Sequence, residues 1–122
     1  MPSCFRELVV WRKAFQLATE CHQIAAAMPS HPSLAPQLMR AASSVPANIA
    51  EGNGRIHRAE YRRFRSIALG SVNEVESHLL LAEALGHPDR ARLRQCVALS
   101  REVGRMLGGL IRALRTNPRD GR

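Results

Sequence analysis

Pro46 lies inside a run whose apolar residues repeat at helical spacing, and the run breaks at Gly52-Asn53-Gly54. Leu34, Ala35, Leu38, Ala42, Val45 and Ile49 hold one phase, so a helix is expected from about Leu34 to Gly52. A second long helical pattern starts directly after the break. A chain built this way must fold as helices packed about this joint. Proline lacks the N–H for the ladder and crowds the Ala42 carbonyl, so a kink is expected. Ser43 and Ser44 are placed to donate to the freed carbonyls. Gly52 and Gly54 are expected to take left-handed conformations that end the helix. Asn48 and Glu51 are three apart and share a face. They read either as polar groups tied off near the bend, with Arg55 or Arg40 as ionic partners, or as part of a site at Asn48, Glu51 and Arg55.

The other helices follow from the same periodicity. The first is expected over about 7–28. Leu8, Trp11, Phe15, Ala18, His22 and Ala25 form one stripe, and Val10, Ala14, Leu17, Cys21, Ile24 and Met28 a second beside it. Together they are wider than a monomeric bundle needs, so this helix is expected either to be deeply buried or to touch another subunit. Pro29 stops it, and Ser33 is a candidate cap for the next helix. The third helix is expected over about 57–85, with Phe64, Ile67, Ala68, Ser71, Val75, Leu79, Ala82 and Leu85 inward. Gly86-His87-Pro88 ends it, and Asp89 is a good N-cap for the fourth, over about 90–114. There Leu93, Val97, Ser100, Val103, Leu107, Leu110 and Leu114 recur at heptad-like spacing. Gly104 and Gly108 are expected to allow close backbone approach. Residues 116–122 read as a flexible tail.

A chain of 122 residues is one domain by length. Only 4% of it is aromatic, so the core must be aliphatic. No segment favours strands. The expected fold is all-α, an antiparallel up-down-up-down four-helix bundle.

The net charge is +8, and Lys13 is the only lysine. Such a balance favours polyanionic partners, though arginines also serve to solvate helix faces. The first turns of the third helix carry Arg58, Arg62, Arg63 and Arg65. Cations there oppose the helix dipole, by about 0.3–1 kcal/mol each. These four, with Arg112 and Arg115, are the candidate phosphate contacts. Base stacking is not expected there, so sequence preference should be poor. Cys4, Cys21 and Cys96 form no CxxC and cannot all pair. With no signal-like leader, reduced thiols and a cytoplasmic location are expected. No apolar run reaches the ~20 residues of a membrane span.

Signals for catalysis are weak. Glu74 and His78 are four apart, but the pairs of Glu-x-x-His that a carboxylate-bridged di-iron bundle needs are missing. His22 on an apolar stripe reads as a core histidine. Cys21 and His22 are adjacent and diverge around the helix. Gly52-Asn53-Gly54-Arg55 lacks the Lys-Ser/Thr of a P-loop. No metal, cofactor or catalytic residue is assigned.

The block Ser44-Val45-Pro46-Ala47-Asn48-Ile49-Ala50-Glu51-Gly52-Asn53-Gly54-Arg55, then Glu60-Tyr61 and Ile67-Ala68-Leu69-Gly70-Ser71-Val72-Asn73-Glu74, resembles the four-helix-bundle proteins first met in intervening sequences of bacterial 23S ribosomal RNA genes. Leu8-Val9-Val10-Trp11-Arg12-Lys13-Ala14 resembles that family's first helix, and the likeness runs from about Phe5 to Leu114. It implies a left-handed bundle that assembles as a ring-like homopentamer. It also implies kinship with accessory proteins of diversity-generating retroelements, which bind a reverse transcriptase and nucleic acid. The signature positions carried over are Pro46, Asn48, Glu51, Gly52, Gly54, Arg55, Glu60, Gly70, Ser71 and Glu74, in structural roles. One departure is His57, where the family has a Ser or Thr cap three residues before the glutamate at Glu60.

Three functions are then open. The first is a non-enzymatic oligomeric bundle that binds RNA, DNA or a nucleoprotein partner through arginines. The second is a protein scaffold without nucleic-acid binding. The third is an enzyme with an unrecognised site near Asn48, Glu51 and Arg55.

Overall fold

The computed structural model describes residues 4–28, 31, 33–55 and 57–116, and the side chains of these up to residue 109. After a single 3-10 turn at Phe5–Glu7, the chain forms α1 (Val9–Ala26), α2 (Leu34–Asn53), α3 (Arg58–Ala84) and α4 (Arg90–Thr116). No strand occurs among the described residues. Each helix packs on its neighbours in sequence, and α1 also packs on α4, which closes the bundle. Cross-helix pairs fix the register. Ser44 meets Ser71 and Gly52 meets Phe64, so α2 and α3 run in opposite directions. Lys13–Glu102 and Cys21–Cys96 show the same for α1 and α4.

The core is aliphatic and divides in two. One cluster gathers Leu17, Ile24, Leu38, Leu79 and Leu93; the other gathers Val10, Val45, Ile49, Val72 and Leu107. A fully buried Leu, Ile or Val contributes about 1.5–3 kcal/mol relative to an exposed one. Serines mark the seam between the clusters. Ser44 Oγ lies 2.8 Å from Ser71 Oγ, and the buried Ser100 hydroxyl donates to the Val97 carbonyl at 2.7 Å.

The stripe from Val10 to Ile24 of α1 is buried throughout, as is Met28 just past the helix end. The second stripe splits: Ala18 and Ala25 are buried, Leu8 and Trp11 half-buried, Phe15 and His22 exposed. His22 is therefore a surface histidine, held by a 2.8 Å contact between Nδ1 and the Ala18 carbonyl. Val9 and Phe15, 55% and 51% exposed, lie open, with Trp11 packed between the Phe5 and Phe15 rings. On α3 the inward line is Tyr61, Arg65, Ala68, Val72, Val75, Leu79 and Ala82. Ile67 and Leu85, expected inside, are exposed, because the line turns one residue away from them.

The helix ends follow local chemistry. Gly86 has φ +88°, its N–H donates to the Glu83 carbonyl, and the His87 N–H donates to the Ala82 carbonyl. That pairing satisfies the last carbonyls of α3 around a left-handed glycine. Asp89 Oδ1 then accepts from the Arg92 N–H at 3.0 Å and caps α4, as expected. Ser33 does not cap α2 with its side chain; its carbonyl instead accepts from Gln37 Nε2. The flexible tail expected at 116–122 falls, beyond Thr116, outside the described residues.

Candidate functional site

α2 runs through Pro46 without a break and continues to Asn53. Gly52 is thus a helical residue and Gly54 has φ −83°. Neither is left-handed, which corrects the expected use of these glycines. Gly52 serves a different need. A Cβ there would lie 3.0 Å from Phe64 Cβ and 3.5 Å from the Tyr61 carbonyl oxygen. Glycine lets the end of α2 and the start of α3 touch nearly backbone to backbone.

Asn48 looks inward along this contact. Its Nδ2 donates to the Ser44 carbonyl at 2.8 Å and to Ser44 Oγ at 2.9 Å. The Ser44 hydroxyl is paired with Ser71, so it does not reach a carbonyl freed by Pro46. Ser43 Oγ lies instead 3.5 Å from His22 Nε2. Asn48, Ser44 and Ser71 are one chain of polar groups that ties α2 to α3.

Glu51 belongs to a separate group on the surface. It pairs with Arg55, whose Nε is also 4.0 Å from Glu60 and whose guanidinium sits 4.9 Å from the Phe64 ring centroid. Glu60 cannot complete a capping box, since His57 contributes no side-chain cap. The structure therefore does not bring Asn48 and Glu51 into one cluster. Gly70 is exposed with open space around it, and Glu74 is exposed, 3.9 Å from His78. No group of three potential metal ligands occurs among the described residues.

The arginines at the start of α3 divide sharply. Arg58 and Arg63 are exposed and Arg62 is half-buried. Arg65 is 0% exposed, which removes it from the candidate phosphate contacts. Its Nη2 donates to the Tyr61 hydroxyl, while Nε and Nη1 have no hydrogen-bond partner. The cause is register: at 65 the side chain falls on the inward line between Tyr61 and Ala68. Arg112 and Arg115 lie on α4, and their side chains fall outside the described residues.

Gly104 faces α3, but an added Cβ would meet Val72 and Leu69 at 3.5 and 3.8 Å, ordinary contact distances. The expected close approach at Gly104 is absent. Gly104 and Gly108 instead line a groove between α3 and α4, with Leu69, Asn73 and Arg105 at its sides. No helix among the described residues is long and apolar enough to cross a membrane.

Compared with known proteins, residues 6–109 match the family model described as 23S rRNA-intervening sequence protein. Among solved structures, the chain is similar to a protein of unknown function from the S23 ribosomal protein family of Bacteroides thetaiotaomicron. The TM-score is 0.79, with 24% identity over 84% of this chain and 98% of that one. At that identity the likeness speaks for the fold. Among curated proteins, none matches the sequence.

Proposed function

The chain belongs to the 23S rRNA-intervening sequence protein family, and we propose that it acts as a non-enzymatic, cytoplasmic oligomer that binds RNA or DNA through arginines. The observation that carries this reading is the distribution of charge. Lys and Arg number 18 against 10 Asp and Glu. Several of those acids are engaged locally: Glu51 and Glu60 by Arg55, Glu76 by Arg101, Glu83 by Arg90 and Arg94, and Glu102 by Lys13. The surplus is cationic, and Arg58, Arg62 and Arg63, the candidate phosphate contacts, lie beside the α2–α3 joint. Of the aromatic rings nearby, Tyr61 is buried with Arg65, and Phe64 is half-buried under Arg55. Neither is offered to a base, so recognition rests on phosphates and is weakly selective for sequence.

Self-association is supported by exposed apolar residues. Val9 and Phe15 lie exposed on α1; Leu80 and Leu81 lie exposed on α3, with Leu85 exposed just past its end. Exposed apolar residues on two different helices suit a heterologous contact, and one whose rotation closes gives a ring such as a homopentamer. A ring repeats the arginine surface around its rim and strengthens phosphate binding through multivalency. A reverse transcriptase or another nucleoprotein partner would dock on the same assembly.

Sedimentation velocity reports the oligomer, and fluorescence anisotropy with labelled RNA and DNA reports binding. Three phosphate contacts per chain imply a fall in affinity of roughly 40-fold between 50 and 200 mM salt. A flat salt response, or no binding at the lower salt, overturns the nucleic-acid reading. An oligomer without binding would point to the scaffold.

A further inference from the structure

Cys21 of α1 and Cys96 of α4 are 75 residues apart in sequence, yet their sulfur atoms lie 3.6 Å apart. Both side chains are 0% exposed, both thiols are free, and their cluster is otherwise apolar, with Leu17, Ile24 and Leu93 in it. We propose that Cys21 and Cys96 form a dithiol that a peroxide converts into an intramolecular disulfide, fastening α1 to α4.

A cysteine buried only as a small apolar group needs no sulfur neighbour. Here the two sulfurs face each other across a helix pair. A disulfide requires S–S of about 2.05 Å, so the atoms must close by roughly 1.5 Å, a movement that side-chain rotation can supply. The product is neutral, which suits the apolar surroundings. A divalent soft ion would need ligands beyond two thiolates, and no group of three His, Cys, Asp or Glu side chains that could hold one occurs among the described residues; a monovalent one would leave net negative charge in the apolar cluster.

The chemistry balances with one peroxide. A thiolate sulfur attacks a peroxide oxygen, the O–O bond breaks, and the sulfur becomes a sulfenic acid while the other oxygen leaves as water after taking a proton. The second thiol attacks the sulfenic sulfur, the S–S bond forms, and the hydroxyl leaves with the thiol proton as a second water. Two thiols are oxidised by two electrons, and the peroxide is reduced to two waters. The bond between the two thiols and their burial push the Cys21 thiol far above its ordinary value, so the first step waits on brief opening of the bundle and is slow. Cys4 differs. It is half-exposed, and hydrogen bonds from the Arg6 backbone and side chain hold its thiol below the ordinary value. Cys4 therefore reacts first and alone.

The full reduced chain is treated with hydrogen peroxide, unfolded in N-ethylmaleimide and analysed by mass spectrometry. The expected result is a peptide pair joining Cys21 to Cys96, cleaved by a reductant. Closing a loop that holds all of α2 and α3 raises the melting midpoint on the order of 10 °C, and the reductant reverses the rise. The Cys4→Ser variant gives the same pair and the same rise. The proposal falls if Cys21 and Cys96 are both alkylated after Cys4 is fully oxidised. It falls equally if each carries oxygen singly, or if the midpoint rises just as far in Cys96→Ala. The peptide result on the unmodified chain decides the matter even where that variant does not fold.

Discussion

Arg65 Nη2 donates a 2.6 Å hydrogen bond to the Tyr61 hydroxyl, one helical turn back, and the guanidinium lies 4.7 Å from the Tyr61 ring centroid. Arg65 is fully buried, and its other two nitrogens lack partners. A buried charge with so little compensation is a cost to the fold. Tyr61→Phe removes the one acceptor and is expected to destabilise by about 1.5–3 kcal/mol. Arg65→Met removes the charge and keeps the length, and is expected to be neutral or to stabilise by about 1–4 kcal/mol. Urea midpoints with unchanged slopes check both. A large loss of stability in Arg65→Met would mean that the cation is compensated in a way the side-chain contacts do not explain.

The glycines should separate in the same assay. At Gly52 an alanine Cβ would meet Phe64 Cβ at 3.0 Å, and that atom moves only with the backbone of α3. Gly52→Ala is therefore expected to cost about 1–3 kcal/mol. Gly70 has open space around it and Gly104 has ordinary contact distances. Both sit within helices, so Gly70→Ala and Gly104→Ala are each expected to gain about 0.5–1 kcal/mol. A gain at Gly52 would contradict the close packing of α2 on α3.

The four helices, the Asp89 cap and the stop at Gly86 were legible because each depends on neighbours in sequence. The buried face of α3 was legible at Ala68, Ser71, Val75, Leu79 and Ala82, and was missed at Tyr61, Arg65 and Val72. Tyr61, Arg65, Ala68, Val72, Val75, Leu79 and Ala82 follow the four-three spacing without a gap, but an arginine in that line argued against it. The spacing held the signal, and the charge of Arg65 masked it. Gly52 was read through its conformational freedom, whereas the use of its missing side chain depends on Phe64, twelve residues on. The Cys21–Cys96 contact joins the first and last helices, and only packing reveals it. Periodicity and the α3–α4 turn were therefore readable, whereas the roles of Ser33, Ser44, Gly52 and Gly54 and the contacts between distant helices were not.

Asn48, Ser44 and Ser71 form a chain, so their effects should not add. Asn48 donates to the Ser44 hydroxyl oxygen, and the Ser44–Ser71 pair carries the link to α3. Asn48→Ala and Ser71→Ala are each expected to cost about 0.5–1.5 kcal/mol. The double variant should cost less than the sum, with a coupling of about 0.5 kcal/mol or more. Additivity would show that the two ends of the chain act independently, with Ser44 relaying nothing between them.

The arginines at the start of α3 provide a test that separates position from charge. Arg62→Ala, Arg63→Ala and Arg65→Met each remove one positive charge. Only the first two side chains reach the surface; Arg65 is enclosed. If the phosphates lie along the exposed side of α3, each of the first two variants lowers the salt slope of binding by about 1. Each also weakens affinity about equally for unrelated sequences, since no base is read. Arg65→Met should leave slope and affinity unchanged despite the same change in net charge. Equal losses in all three would show that binding follows total charge and has no defined surface. Losses confined to Arg62 and Arg63 would locate the phosphates beside the α2–α3 joint, where the contact at Gly52 holds the start of α3 in place.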